Sequence, residues 1–321
     1  MTGLRLWLGG FWSGPSHTEA AVPLDPQAAD YLRRQAEQGI PPPSELTPAE
    51  ARRLMEEGTA VSWGELEPIA RVRDEVVGGV PIRIYEAEPN KAAPILLWMH
   101  GGGWVCGSLE THEGLCRNLA NRTGLRVVSI GYRLAPEHPF AAAVDDCWAV
   151  FRWTAQEARA VAVAGDSAGG NLAAVLALKA RDAGTPLAAQ LLIYPVMDHD
   201  LTTPSYERNA EGFGLTRDSM RWYWDYYLNG GDGGQPDASP LRAGSLAGVA
   251  PALVMACEYD VLYDEGLAYA RRLQEAGVPV QVSDQRGMIH GFLRMHGILD
   301  RSETALTECA GFLGQHLNSP D

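Results

Sequence analysis

A serine in Gly165-Asp166-Ser167-Ala168-Gly169-Gly170, directly after the apolar run Ala160-Val161-Ala162-Val163-Ala164, carries the clearest chemical signal in the chain. A buried strand, a Gly-x-Ser-x-Gly turn and then the helix-forming stretch Asn171 to Lys179 are what a nucleophile elbow requires. Gly165 and Gly169 relieve crowding in a turn too sharp for bulky flanks, while Asp166 and Gly170 complete the motif. The turn lifts the Ser167 hydroxyl above the sheet edge, beside a helix N-terminus whose backbone donors and dipole favour developing negative charge. A plain Gly/Ser connection is the competing reading of these six residues, so partners must decide.

Partners exist in a consistent chain order. His100-Gly101-Gly102-Gly103-Trp104 follows the strand-like Ala93 to Met99, and three glycines leave the backbone free to turn N–H groups into one cavity. Gly102, Gly103 and Ala168 are read as oxyanion donors, Gly101 as loop support and His100 as an anchor, because His100 precedes the nucleophile. Met288-Ile289-His290-Gly291-Phe292 ends a strand pattern late in the chain and nominates His290 as the general base. His17, His112, His138, His199, His296 and His316 read as surface histidines. The apolar strand Pro251 to Cys257 ends in Glu258, Asp260, Asp264 and Glu265. Asp260 is best set to orient an imidazole, whereas Asp264 and Glu265 open an amphipathic stretch where carboxylates ordinarily cap helices. Ser167, Asp260, His290 is one of the orders in which this triad occurs.

The chain resembles the bacterial hormone-sensitive-lipase-type esterases (family IV carboxylesterases) in the branch carrying Gly-Asp-Ser-Ala-Gly-Gly. Ser129 to Ala143, Asp260 to Gly266 and Gly287 to Phe292 are similar to three further family segments, and the likeness runs from about Leu24 to Leu317. Val261 and Ala141 stand where the family usually has proline. The resemblance implies an α/β-hydrolase fold: a mostly parallel central sheet flanked by helices, with a helical cap. It further implies hydrolysis of short- to medium-chain acyl esters through an acyl-enzyme, with no metal or other cofactor. An amidase or peptidase on the same triad is the alternative. A non-catalytic receptor on the same fold would be expected to have lost a triad member.

The elements that must position these residues are legible as well. Strand patterns lie near 94–99, 125–131, 160–165, 188–194, 251–257 and 278–283, separated by helical stretches, as in a parallel sheet covered on both faces. Arg71–Val77 and Val80–Tyr85 flank Gly78-Gly79 and predict a hairpin. The expected organisation is an extension over 1–23, cap segments over 24–70 and 197–234, and a catalytic domain over 71–196 and 235–321. The aromatic run Trp222 to Tyr227, with Trp104, Phe213, Trp222, Trp224 and Tyr227 as candidate pocket residues, is expected to cover an acyl pocket, joined by Phe11 and Trp12.

Bulk properties narrow the partners. A net charge of −14, with no basic cluster, disfavours nucleic acid; a small-molecule ester is the ligand that the resemblance implies. No stretch approaches the ~20 apolar residues of a membrane span, and Met1 to Gly14 makes a poor signal peptide. Five cysteines without a Cys-x-x-Cys pair read as reduced core residues of a cytoplasmic protein. The composition leaves a homodimer open.

Overall fold

The computed structural model describes residues 22–90 and 92–317. Phe11, Trp12 and all of the expected extension except Val22 and Pro23 lie outside the described residues. Two helices come first. Helix α1 (Pro26–Glu37) starts at Asp25, whose carboxylate accepts from the Gln27 and Ala28 N–H groups. Helix α2 (Pro48–Trp63) opens with a capping box between Thr47 and Glu50. Pro41, Pro42 and Pro43 break the chain between them, as their composition demands.

The hairpin β1 (Arg71–Val77) and β2 (Val80–Glu86) turns on Gly78 and Gly79, both in the left-handed region that glycine tolerates. The remaining elements alternate: β3 (Ile95–Met99), α3 (Glu113–Thr123), β4 (Arg126–Ile130), α4 (Ala142–Glu157), β5 (Val161–Asp166) and α5 (Ala168–Asp182). After β6 (Ala189–Ile193) come α6 (Pro204–Arg208) and α7 (Arg217–Leu228). The chain closes with β7 (Ala252–Tyr259), α8 (Tyr263–Glu275), β8 (Val280–Ile289) and α9 (Arg301–Leu317). All eight strands join one sheet in the order β1-β2-β4-β3-β5-β6-β7-β8, and every pairing is parallel except β1–β2 and β2–β4.

Both faces of the sheet are buried. Ile95, Leu97 and Met99 of β3 belong to one apolar cluster, whereas Leu96 and Trp98 belong to the other. That alternation follows from the two-residue period of a strand. It explains why the central strands read as unbroken apolar runs. Strands β7 and β8 run longer than their sequence patterns suggest, and they end directly before Asp260 and His290. Parallel pairing sends the ends of β3, β5, β7 and β8 to one edge of the sheet, where the functional loops meet. No helix among the described residues is long and apolar enough to cross a membrane.

Candidate active site

Ser167 sits between β5 and α5 with φ 57° and ψ −121°, a sparsely populated conformation for a residue with a side chain. The backbone holds it there: Ser167 N–H donates to the Ile193 carbonyl at 2.9 Å, and its carbonyl accepts from Asn171 and Val196. A β-carbon on Gly169 would lie 2.0 Å from the Met99 carbonyl oxygen, and one on Gly165 would lie 2.3 Å from the Gly169 backbone. The elbow can therefore form only with glycine at both places.

Three loops converge on the serine. His290 Nε2 stands 3.0 Å from Ser167 Oγ, and His290 Nδ1 is 2.6 Å from Asp260 Oδ2. The second Asp260 oxygen accepts from the Leu262 N–H at 3.0 Å, so the buried carboxylate has one oxygen on the backbone and one on the imidazole. The ring of Tyr194 lies against the imidazole, 4.7 Å between centroids. An Nδ1–H directed at Asp260 is the tautomer this contact favours, and it leaves the Nε2 lone pair toward Ser167 Oγ.

The glycine loop comes from the end of β3. Tyr132 donates its hydroxyl to the His100 carbonyl at 2.6 Å, and its ring stacks on the His100 ring at 4.1 Å. His100 Nδ1 donates to the Gly101 carbonyl at 2.9 Å. Burial pushes the His100 pKa down to about 3, so the ring is neutral. These contacts tie it to the loop, and it is not among the residues that line the cavity holding Ser167 and His290. The N–H groups of Gly102, Gly103 and Ala168 donate to no backbone or side-chain acceptor among the described residues. Ser167, His290, Gly102 and Gly103 line one cavity of about 240 Å³. A serine–histidine pair that shares a cavity with glycines whose N–H groups are unpaired is suited to nucleophilic acyl chemistry.

A family model described as an alpha/beta hydrolase fold matches residues 96–294. The chain belongs to the alpha/beta hydrolase fold family. The hydrolase is 37% identical over 318 residues to the ethyl acetate hydrolase of Pseudomonas putida, a match covering 92% of this chain and 99% of that protein. It is 40% identical over 247 residues to carboxylesterase NlhH of Mycobacterium tuberculosis, covering 71% and 77% of the two chains. The crystal structure of a thermostable esterase from Pseudomonas putida superposes with a TM-score of 0.88 at 35% identity, over 94% of this chain and 100% of that one. These relatives agree with the likeness to hormone-sensitive-lipase-type esterases read from the sequence.

Several side chains of the hydrolase stand elsewhere than the sequence suggests. Trp104, Trp224 and Tyr227 are core residues and do not line the cavity: Trp104 stacks on Tyr227 at 4.1 Å and meets Trp224 at 4.6 Å. Phe213 packs on Tyr259, and half-buried Trp222 packs edge-on against Tyr223 and Tyr226. Helical periodicity explains the difference, since one turn of α7 presents Met220 and Tyr223 to the cavity and its neighbours to the core. Much of the apolar wall comes instead from Ile40, Pro41, Leu46, Leu54 and Met55, in and before α2.

His112 is buried, contrary to the surface reading, with Nε2 2.9 Å from Asp166 Oδ1. The Gly101 N–H donates to the same oxygen at 2.9 Å. Burial keeps His112 neutral, and Thr111 Oγ1 lies 2.9 Å from Nδ1, which fits an Nε2–H directed at Asp166. Burial alone would raise the Asp166 pKa; contacts from His112, Arg294 and the Gly101 N–H outweigh it and hold the carboxyl down to about 2. Asp166 therefore ties the elbow to the glycine loop. An acid next to the nucleophile at the end of a buried strand was the available signal that a polar partner had to be found.

The other acids are also accounted for. Glu258 accepts from the Val22 and Gly287 N–H groups and pairs with Arg286. Asp264 accepts from the Ser205 N–H and pairs with Arg208, so it caps α6 and not its own helix. Glu265 is no exposed cap: burial pushes its pKa well above the usual range, and it accepts from the Met197 N–H.

Proposed function

We propose that Ser167, His290 and Asp260 are the nucleophile, base and orienting acid of this carboxylic ester hydrolase, acting on short- to medium-chain acyl esters. The observation that carries the reading is the unbroken relay from Asp260 Oδ2 through His290 to Ser167 Oγ, opening on the cavity that holds Gly102 and Gly103. Ser167 Oγ attacks the ester carbonyl while His290 Nε2 takes the hydroxyl proton. The N–H groups of Gly102, Gly103 and Ala168 bind the oxyanion, each worth on the order of 3 kcal/mol. Collapse breaks the C–O bond and His290 returns the proton to the leaving alcohol. A water then attacks the acyl-serine by the same route, giving the carboxylic acid and the free enzyme. Asp260 stabilises the imidazolium in both halves.

The segments 24–70 and 197–234 act together as a cap over the catalytic domain, a reading supported by the cavity-facing residues that both contribute. The cavity is small beside the ~300 Å³ at which typical ligand pockets begin, which favours short acyl chains. Five buried free cysteines favour a reducing compartment such as the cytoplasm. The test is covalent labelling with a serine-directed organophosphonate, read by peptide mass, together with turnover of an ester panel that includes amide analogues. One label on the Ser167 peptide, lost in Ser167→Ala along with ester turnover, is expected. Full turnover in folded Ser167→Ala, or preference for the amides, would overturn the proposal.

A further inference from the structure

Arg294 follows the histidine loop by one turn, Phe292–Arg294, and its side chain, like His290, lines the same cavity. It is the one Lys or Arg among the described lining residues, which are otherwise mostly apolar. Its side chain is largely shielded from solvent, 20% exposed. The nearest carboxylate oxygen is Asp166 Oδ2, 3.4 Å from Nε. That contact explains why a cation is tolerated here, since Asp166 is buried and ionised. That contact leaves the donors open: buried Nε makes no hydrogen bond, and among the described residues neither terminal nitrogen of this partly exposed side chain has a protein acceptor. A guanidinium presents five N–H groups in a rigid fork matched to a carboxylate, and buried donors left unmade are costly.

We propose that Arg294 forms an anion subsite of the active-site cavity, so that the hydrolase accepts esters carrying a second, ionised carboxylate, such as half-esters of short dicarboxylic acids. The proposal takes its position from the reading of Ser167 as nucleophile. The subsite binds the distal carboxylate while the ester carbonyl lies at Ser167. With the chain at −14 overall, attraction for an anionic substrate must come from this local cation.

The test compares kcat/KM for monoethyl succinate and for the similarly sized ethyl pentanoate, by proton release at constant pH and ionic strength. The parent protein should turn over the half-ester at least as well as the neutral ester. Arg294→Gln should lower the ratio of the two by roughly tenfold or more, the loss of a charge-assisted contact, and Arg294→Lys should keep most of it. Equal losses on both esters would make Arg294 only the counter-ion of Asp166 and overturn the subsite, as would turnover of the neutral ester alone. A second readout is independent of turnover: Ser167→Ala protein should bind monoethyl succinate by calorimetry, and the added Arg294→Gln change should abolish that binding. Binding that survives Arg294→Gln would also overturn it. Failure of the nucleophile reading shows separately, as ester turnover retained in Ser167→Ala.

Discussion

The ring of Tyr223 lies on the α-carbon of Gly103: a β-carbon there would stand 2.1 Å from Tyr223 Cδ1. Helix α7 thus closes directly onto the proposed oxyanion loop, and the bare glycine is what lets it come so near. Gly103 also holds φ at +60°, where a side chain adds strain.

Gly103→Ala is therefore expected to displace the loop and lower kcat by about 10² to 10³, the cost of one lost oxyanion donor. Adding Tyr223→Ala should recover part of that loss by removing the clash but not the strain. Steady-state kinetics of the single and double variants decide the matter; a Gly103→Ala enzyme of normal kcat removes this loop from the oxyanion site.

Asp260→Asn should lower turnover by about 10⁴ through loss of the correct imidazole tautomer. Asp264→Asn should cost far less, because Asp264 meets Ser205 and Arg208 and not His290. Reversed penalties in the two variants would move the orienting role to Asp264.

His112→Ala removes a donor from buried Asp166 and loosens the tie between elbow and glycine loop. A stability loss of about 1–3 kcal/mol is expected from the under-satisfied carboxylate. A fall in kcat of roughly 10- to 100-fold, with KM nearly unchanged, should come from misplaced donors. Denaturant unfolding and kinetics on the same sample separate the two effects. Unchanged kcat in a destabilised variant would make His112 structural only.

Catalytic efficiency on aryl esters should rise from acetyl to butanoyl or hexanoyl, then fall steeply by dodecanoyl, measured below the solubility limit of each ester. Each methylene that fits adds at most about 0.8 kcal/mol, and those beyond the end wall must open the proposed cap. Met55→Ala, which hollows the wall that Met55 shares with Leu46 and Leu54, should move the maximum toward longer acyl chains. An optimum that ignores this truncation would show that the acyl chain lies elsewhere.

Stability should depend on pH through groups of opposite sign. His100 and His112 are buried and neutral, with pKa values below the usual 6.5. Their contribution is complete above pH 6.5 and lost as pH falls toward the folded values, since the unfolded chain binds protons first. Glu265 is buried, and desolvation raises its pKa well above the usual 4.5. Its contribution is complete below 4.5 and lost as pH rises, because the unfolded chain ionises. Between pH 5 and 6.5 the two histidine terms raise stability with pH and the Glu265 term opposes them. Glu265→Gln should therefore make stability rise more steeply with pH in urea unfolding series. An unchanged slope would mean that Glu265 is ionised in the fold.

What the sequence by itself determined is whatever local chemistry enforces. Short apolar runs without alternation, set between helical stretches, pointed to strands covered on both faces, and Gly78-Gly79 between two β patterns pointed to a hairpin turn. Gly165-Asp166-Ser167-Ala168-Gly169 between a strand and a helix left few readings, and chain order then singled out Asp260 and His290. The tertiary structure decided what depends on facing and on distant neighbours. The aromatic run of α7 was visible, but only packing showed that Tyr223 meets the cavity while Trp224 and Tyr227 join Trp104 in the core. His112 and Arg294 lie far from Asp166 in sequence and carry no motif of their own. Their roles exist because parallel pairing brings the ends of β3, β5 and β8 to one edge, where a buried carboxylate must find donors. Local pattern constrains backbone conformation strongly, whereas burial, ion pairing and cavity shape are sums over residues that only the folded chain brings together.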